Sequence, residues 1–548
     1  MEMNSGLLIN RKLLTMIYAY LSLPILIFLI GWCKWYIGIP AAVVVCISIV
    51  LCIREHSTEN ADTMCLNKQD IYKTLLIIVI VICWVGISGI GGYVWQNSDH
   101  WWRNAMFDIL VTEKWPVTGI VNMDGVSQER GFVYYIGFWL PAAVVGKVCG
   151  LSAGYAMQYV WAVIGILLLY ALICIWRKKI VLWPLLIFIF FSGADIIGTL
   201  INSNETVQIW GTEHLERWPV HYQFSSTTTQ LFWVFNQAIP AWLASALIFL
   251  AEKPKNLVFV WSLIMITSTL PFVGLLPFVI YFLIVRCIWS PSTSVWRFIK
   301  NLWNNWASIP NILGGGTVGI ICLIYLLGNV SGTQIQFFSQ GLDRSGAIVI
   351  LLIIGIVFCL ALLWCVAALF IHGYGKYIIR AGKGEARVGS VLIGGYVLLN
   401  NQVWNTYVYK LIFLALFYLL EVGAYLICLR GKVKEKYLYY LTVVWLFVTP
   451  LIIVGSSLDF CMRASIPALL LVTLWCIEAI DRKEKDLRTW ALIALLIIGS
   501  ITPLHEIKRT LVNTKEEYVL ESVGDEVILT GDNFSGSTDG IFWKLIAK

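Results

Sequence analysis

Apolar residues in this chain neither alternate with polar ones nor form one narrow stripe. They come in unbroken blocks of about 18 residues or more, each closed by a short polar, aromatic or basic stretch. KTLLIIVIVICWVGISGIGG and AIVILLIIGIVFCLALLWCVAALF are two such blocks. A transmembrane β-barrel would repeat short segments of alternating polarity instead. The pattern therefore predicts helices that cross a bilayer, because a helix satisfies its own backbone hydrogen bonds where no water can. Spans are expected at 13–33, 36–53, 73–95, 154–176, 180–200, 231–251, 256–271, 272–290, 310–328, 346–371, 388–402, 409–429, 437–456, 464–480 and 489–505. Segments 256–271 and 388–402 are short enough to be re-entrant, so the expected fold class is an all-α polytopic bundle of about 13–15 spans. Residues 1–505 would form the membrane domain, with outer loops at 96–153, 201–230 and 329–345, and 506–548 a short outer tail rich in turn residues. The first run, Leu13 to Cys33, ends in a poor cleavage sequence and is expected to remain as an anchor.

One run is left out of the spans. Phe132–Gly150 is interrupted by Pro141, carries Lys147, and repeats Phe132, Tyr135 and Trp139 at helical spacing, which suits a helix lying in the membrane interface. Charge supports the omission. With this helix excluded and the N-terminus inside, most of the 39 Lys and Arg residues fall in cytoplasmic loops, notably 177–179, 376–387, 430–436 and 482–488. Counting it as a span would put those clusters outside.

Composition agrees with this picture: the chain is 59% hydrophobic and only 13% charged, which excludes an ordinary soluble domain. Its net charge of +7 reflects cytoplasmic loops rather than a nucleic-acid surface. The 14 cysteines lie largely inside apolar runs, as small hydrophobes, and imply no disulfide framework.

The same orientation gathers polar, aromatic segments on the outer face. In NSDHWWRNAMFDILVTEKWP, Trp102, Ala105, Met106, Ile109 and Leu110 mark an amphipathic helix expected to lie on the bilayer. Asp99 at its start suits either a helix cap or a carboxylate placed to take a proton from an incoming hydroxyl. His100, Arg103, Glu129 and Arg130 belong to the same loop and are candidate substrate-binding residues. A second loop packs Glu213, His214, Glu216, Arg217 and His221 together, charges that a surface loop also carries for solubility alone. His214, Glu216 and His221 are ligand types that admit a divalent metal, although their spacing matches no zinc motif. Arg344 and Arg463 sit at outer ends of spans, where a guanidinium can hold a phosphate; Asp459, four residues before Arg463, offers it a partner instead. Asp195 lies near the outer end of its span, while Glu421 and Glu478 are expected deeper or nearer the inside.

NSDHWW, the EKWP that ends the first helix, and YYIGFWLPAAVVGKVCG together resemble the first outer loop of the GT-C superfamily of membrane glycosyltransferases. The resemblance covers roughly residues 70–200 in motif terms. It implies transfer of a sugar from a polyprenyl-phosphate donor to a glycan, lipid or protein acceptor at the outer face, with membrane lipids around it and no nucleic acid. It also implies that Asp99 is the catalytic base. Many members pair two acidic residues here, whereas Asp99 is followed by His100, with Asp108, Glu113 and Glu129 nearby. Two other readings remain: a polysaccharide polymerase or ligase, and a transporter or flippase of lipid-linked glycans.

Overall fold

A computed structural model describes residues 9–58, 68–123, 126–201, 214–219, 222–250, 256–288, 300, 303–304, 306–329, 335–337, 413–454, 459–514, 520–531 and 533–548. Among these, seven helical stretches are long and apolar enough to cross a membrane, two of them, Trp183–Ile201 and Leu487–Asn513, each made of two helices, and five shorter apolar helices accompany them. The protein is a multi-pass, mostly helical membrane protein. The predicted spans 346–371 and 388–402 lie outside the described residues, as does Arg344.

The first three helices follow the predicted spans: α1 (Arg11–Trp32), α2 (Trp35–His56) and α3 (Lys68–Gly86). The first loop then forms α4 (Ser98–Thr112) and a hairpin of β1 (Thr118–Met123) and β2 (Val126–Phe132). After it come α5 (Leu140–Cys149) and the long α6 (Leu151–Arg177). The predicted span 180–200 is two helices, α7 (Trp183–Phe190) and α8 (Asp195–Ile201). Next is α9 (Thr227–Leu250), the most enclosed span, 94% buried over its apolar window. The segment 256–271 holds only α10 (Leu257–Leu263) before a turn leads into α11 (Thr269–Ile288), and α12 (Gly316–Leu326) follows a π-helical turn.

In the last third, a π-helical turn at Leu419–Gly423 runs into α13 (Ala424–Leu429), followed by α14 (Lys436–Val448). Then come α15 (Asp459–Ala464), α16 (Ile466–Ile480), α17 (Leu487–Gly499) and α18 (Ile501–Asn513). The tail adds α19 (Asp525–Thr530) and a strand, Ser535–Ser537, which extends the β1–β2 hairpin into a three-stranded sheet. The all-α expectation therefore holds for the long spans but misses this sheet and two short strand pairings, Ile9–Asn10 with Ser57–Thr58 and Ile335–Phe337 with Ile452–Val454. The register of the three-stranded sheet pairs Ile120 with Glu129, and Arg130 with Ser537.

Two helices expected on the bilayer surface each bury one face in protein and keep another exposed, with Trp101 and Trp102 on α4 and Val144 and Val148 on α5 left uncovered. In and before α5, Phe138, Trp139, Leu140, Ala142 and Ala143 are fully buried. Helix α5 is too short to span. It folds back on α6 through Gly150, whose φ of 92° favours glycine, and Gly146 and Gly154 let the two backbones meet. Helix α4 buries Ala105, Met106, Ile109 and Leu110 as its pattern predicts, and also Phe107 and Val111. Spacing marks an apolar face but does not say whether lipid or protein covers it.

The loops sort into two groups. At one end, Arg177 pairs with Asp481, Lys432 with Asp486 at 2.6 Å, and Arg488 donates to the Arg430 carbonyl at 3.1 Å. At the other, the first loop meets α15, residues 214–226 and the C-terminal tail: Arg463 reaches Tyr135 at 3.2 Å, and Asn104 donates to the Glu521 carbonyl at 2.8 Å. The basic clusters at 177–179, 430–436 and 482–488 thus meet at one end, as the charge pattern predicts, and 376–387 lies outside the described residues.

A Cβ on Gly154 would come within 2.9 Å of the Phe107 ring and 3.1 Å of the Gly146 Cα. Gly154→Leu should therefore force α5 from α6 and destabilise the protein by roughly 1–3 kcal/mol. Thermal unfolding in detergent measures this; an unchanged midpoint would refute the close approach.

Candidate functional site

The candidate site begins with a break in α9. Val234 has φ −136° and ψ 32°, so the helix is kinked two residues beyond Phe232, whose carbonyl takes partners from outside the helix. Two first-loop side chains satisfy it: Asn97 Nδ2 donates at 2.9 Å and His100 Nε2 at 3.1 Å. Gln96 Nε2 lies 3.2 Å from His100 Nδ1 and donates to it, which makes Nδ1 the acceptor and Nε2 the protonated nitrogen. Burial, aided by Arg103, pushes the His100 pKa down to about 3. His100 is thus a neutral brace, stacked on Phe235, with both nitrogens engaged inside the protein. Asn97, not Asp99, caps α4: its side chain accepts from the Asp99 N–H at 3.1 Å.

That cap leaves the Asp99 carboxylate free for other work. It sits in the first turn of α4, about a third exposed at 37%, and Arg103 Nη2 donates to it at 2.9 Å. Burial would raise its pKa, but Arg103 and Arg463 outweigh burial and hold it below the ordinary aspartate value. Arg463, from α15, pairs with Asp459 at 3.0 Å and donates to Tyr135 Oη at 3.2 Å. Tyr134 donates to the same Tyr135 oxygen. That oxygen is thus doubly engaged as an acceptor. Both guanidinium groups are buried, and Arg103 Nη1 and Arg463 Nε have no hydrogen-bond partner among the described residues. A buried unpaired donor is costly, so these two atoms mark a place suited to an anion.

A second buried cluster lies at the same end. His214 Nδ1 is 2.6 Å from Glu506 and its Nε2 is 3.4 Å from Glu216. Glu216 also accepts from Gln223 and from the Ser226 N–H, both at 2.8 Å. Arg509 reaches Glu506 at 3.4 Å, with its guanidinium between the rings of Trp95 and Trp233 at 5.2 and 5.1 Å. Burial would lower the His214 pKa, but Glu506 and Glu216 overcome it and raise the value to about 10. His214 is therefore an imidazolium between two carboxylates, and its charge and that of Arg509 balance theirs.

Asp99, Arg103, Asp459 and Arg463 are thus brought together, while His214 belongs to the second cluster. Glu129 and Arg130 lie on β2, where Arg130 reaches Ser535 in the tail at 3.1 Å. Arg217 is exposed, and Glu213, His221 and Arg344 lie outside the described residues. Tyr134 opens the YYIGFWLPAAVVGKVCG segment without being singled out in it, and Glu506 and Arg509 carry no motif in the sequence. The only signal for the last two is Glu506 followed by Arg509 one helical turn on, at the end of the last span. Among the described residues, no group of three or more His, Cys, Asp or Glu side chains is arranged to hold a metal ion. No family model, curated protein or solved structure matches this chain.

The His214 cluster predicts a pH dependence. Because the imidazole pKa is raised in the folded state, its stabilisation is full below the unfolded value near 6.5 and is lost as pH rises through about 10. His214→Gln strands two buried carboxylates and should cost roughly 3–5 kcal/mol near neutral pH. Unfolding midpoints from pH 6 to about 10 should fall in the wild type and fall less in the variant. Parallel curves would contradict the imidazolium assignment.

Proposed function

We propose that the protein is an integral membrane glycosyltransferase of the GT-C kind, which moves a sugar from a polyprenyl-phosphate donor to a glycan, lipid or protein acceptor at the outer face. One observation carries this reading: a partly exposed carboxylate, Asp99, beside two buried guanidinium groups that each keep a nitrogen unpartnered among the described residues, at one end of a multi-pass membrane domain. The outward orientation of that end rests on the positive-inside bias.

The chemistry needs these two features together. As the bond between the anomeric carbon and the phosphate oxygen breaks, negative charge gathers on the leaving lipid phosphate, and Arg103 and Arg463 are placed to stabilise it. The acceptor hydroxyl forms the new bond to the anomeric carbon and gives its proton to Asp99. The neighbouring arginines keep Asp99 ionised at neutral pH, as a base must be. They also weaken it as a base, which suits a proton that leaves late, once the new bond has made the hydroxyl acidic. A divalent metal would supply the same stabilisation of the phosphate, with Asp99 and Asp459 as the nearest carboxylates. A polymerase or ligase would differ only in its acceptor.

A second reading, a transporter or flippase of lipid-linked glycans, draws support from the broken spans. The α7–α8 break and the kink in α9 are the kind of irregularity that transporters place around a substrate.

Asp99→Asn should lower sugar transfer from a lipid-phosphate donor by roughly a hundredfold to ten-thousandfold while expression and thermal stability hold. Arg463→Lys should chiefly weaken donor use, because the paired guanidinium geometry is lost. Normal transfer by Asp99→Asn, assayed with purified protein and a short-chain donor, would sink the base assignment. Glycan movement across vesicles without any transfer would favour the second reading.

A further inference from the structure

Away from Asp99, two spans break at the same place. The first break separates α7 from α8 over Phe191–Ala194, and the second span takes a π-helical turn at Leu419–Gly423. The Ala194 N–H donates to the Leu420 carbonyl at 2.9 Å, which ties the breaks together. Each break carries a buried acid: Asp195 is 1% exposed and Glu421 is 2% exposed. Glu421 is therefore not deeper or nearer the inside than Asp195, as its position in the sequence suggests, but lies at its level. Gly193 makes the approach possible, since a Cβ there would sit 2.0 Å from Glu421 Oε2.

The hydrogen bonds account for half of the four carboxyl oxygens. Ser192 and Thr502 donate to Asp195 Oδ2 at 2.8 and 2.9 Å, and the Trp218 indole donates to Glu421 Oε1 at 3.0 Å. Asp195 Oδ1 and Glu421 Oε2 are buried and have no donor among the described residues. The Ala194–Leu420 hydrogen bond and the close approach of Gly193 to Glu421 nonetheless bring the two acids side by side, where each acts on the other. Two ionised carboxylates that close, away from water, would repel strongly, and neither forms an ion pair among the described residues. One proton removes both problems. Asp195 accepts two hydroxyl donors on one oxygen and so is the charged partner, whereas Glu421 accepts a single indole donor.

We propose that Asp195 and Glu421 form a proton-binding site within the membrane domain, an acid–carboxylate pair in which Glu421 Oε2 carries the proton and donates it to Asp195 Oδ1. Among the described residues, the other titratable groups facing the pair are Glu216, Tyr425 and Cys461. The loop that supplies Trp218 also supplies Glu216, so the pair is joined to the His214 cluster through Leu215–Trp218. The site is independent of the proposed sugar transfer and stands if that reading fails.

Infrared spectroscopy of the full-length protein in detergent at neutral pH tests this through the carbonyl band of a free carboxylic acid. The difference spectrum of wild type minus Glu421→Gln should contain one such band, which shifts on exchange into D2O. Asp195→Asn should retain the acid band at a displaced frequency, because Glu421 stays protonated beside a neutral amide. If Glu421→Gln does not fold, the Asp195→Asn spectrum decides alone: a displaced acid band supports the site and its disappearance overturns it. No acid band in the difference spectrum also overturns it. Suppression of the wild-type band by sodium would overturn it as well, by assigning the pair to a metal cation.

Discussion

The Phe232 carbonyl is the point from which the site is built. Beside the kink at Val234, inside the most enclosed of the described spans, this buried carbonyl calls for donors from outside its helix. Asn97 and His100 meet that demand, and in doing so they dock the start of α4 against α9. The same turn of helix that carries these braces carries Asp99 and Arg103. A backbone defect in one span thus sets the position of a carboxylate from a loop far away in sequence.

Around this contact the protein uses buried charge in three different ways. At Asp99 the carboxylate is partly exposed and flanked by guanidinium groups, which keeps it ionised and open to a reactant. In the His214 cluster two anions and two cations close on one another and leave no reactive edge, which suits a structural clamp between the second loop and α18. At Asp195 and Glu421 cations are missing among the described residues, and a proton does their work. The charge of the neighbours is what differs among the three.

The C-terminal tail adds a second layer to this end of the molecule. Its strand extends the first-loop hairpin, and the Val523 N–H donates to the Trp101 carbonyl at 3.3 Å. Phe534 stacks on Trp102 and meets the ring of Tyr134, and Phe542 packs among Phe28 and Tyr325. The tail thereby holds the back of the tyrosine pair that Arg463 grips.

Much of this architecture is legible in the chain. Apolar blocks locate the spans because the bilayer leaves a helix almost no alternative, and basic clusters sort the loops because the bias acts on each loop separately. Asp99, Arg103, Asp459 and Arg463 stand out as charged residues at span ends. What they touch does not, since a helical pattern marks an apolar face without saying what covers it. Helices α4 and α5 look like surface helices for that reason, yet each also packs a face against protein. The kink at Val234 has no marker at its own position, and Glu506 and Glu421 read as stray charges until α18 meets the second loop and the π turn meets the break after α7. Local periodicity is written in neighbouring residues, and the sequence determines it alone. Partnership between buried polar groups depends on which spans pack together, and only the tertiary structure decides that.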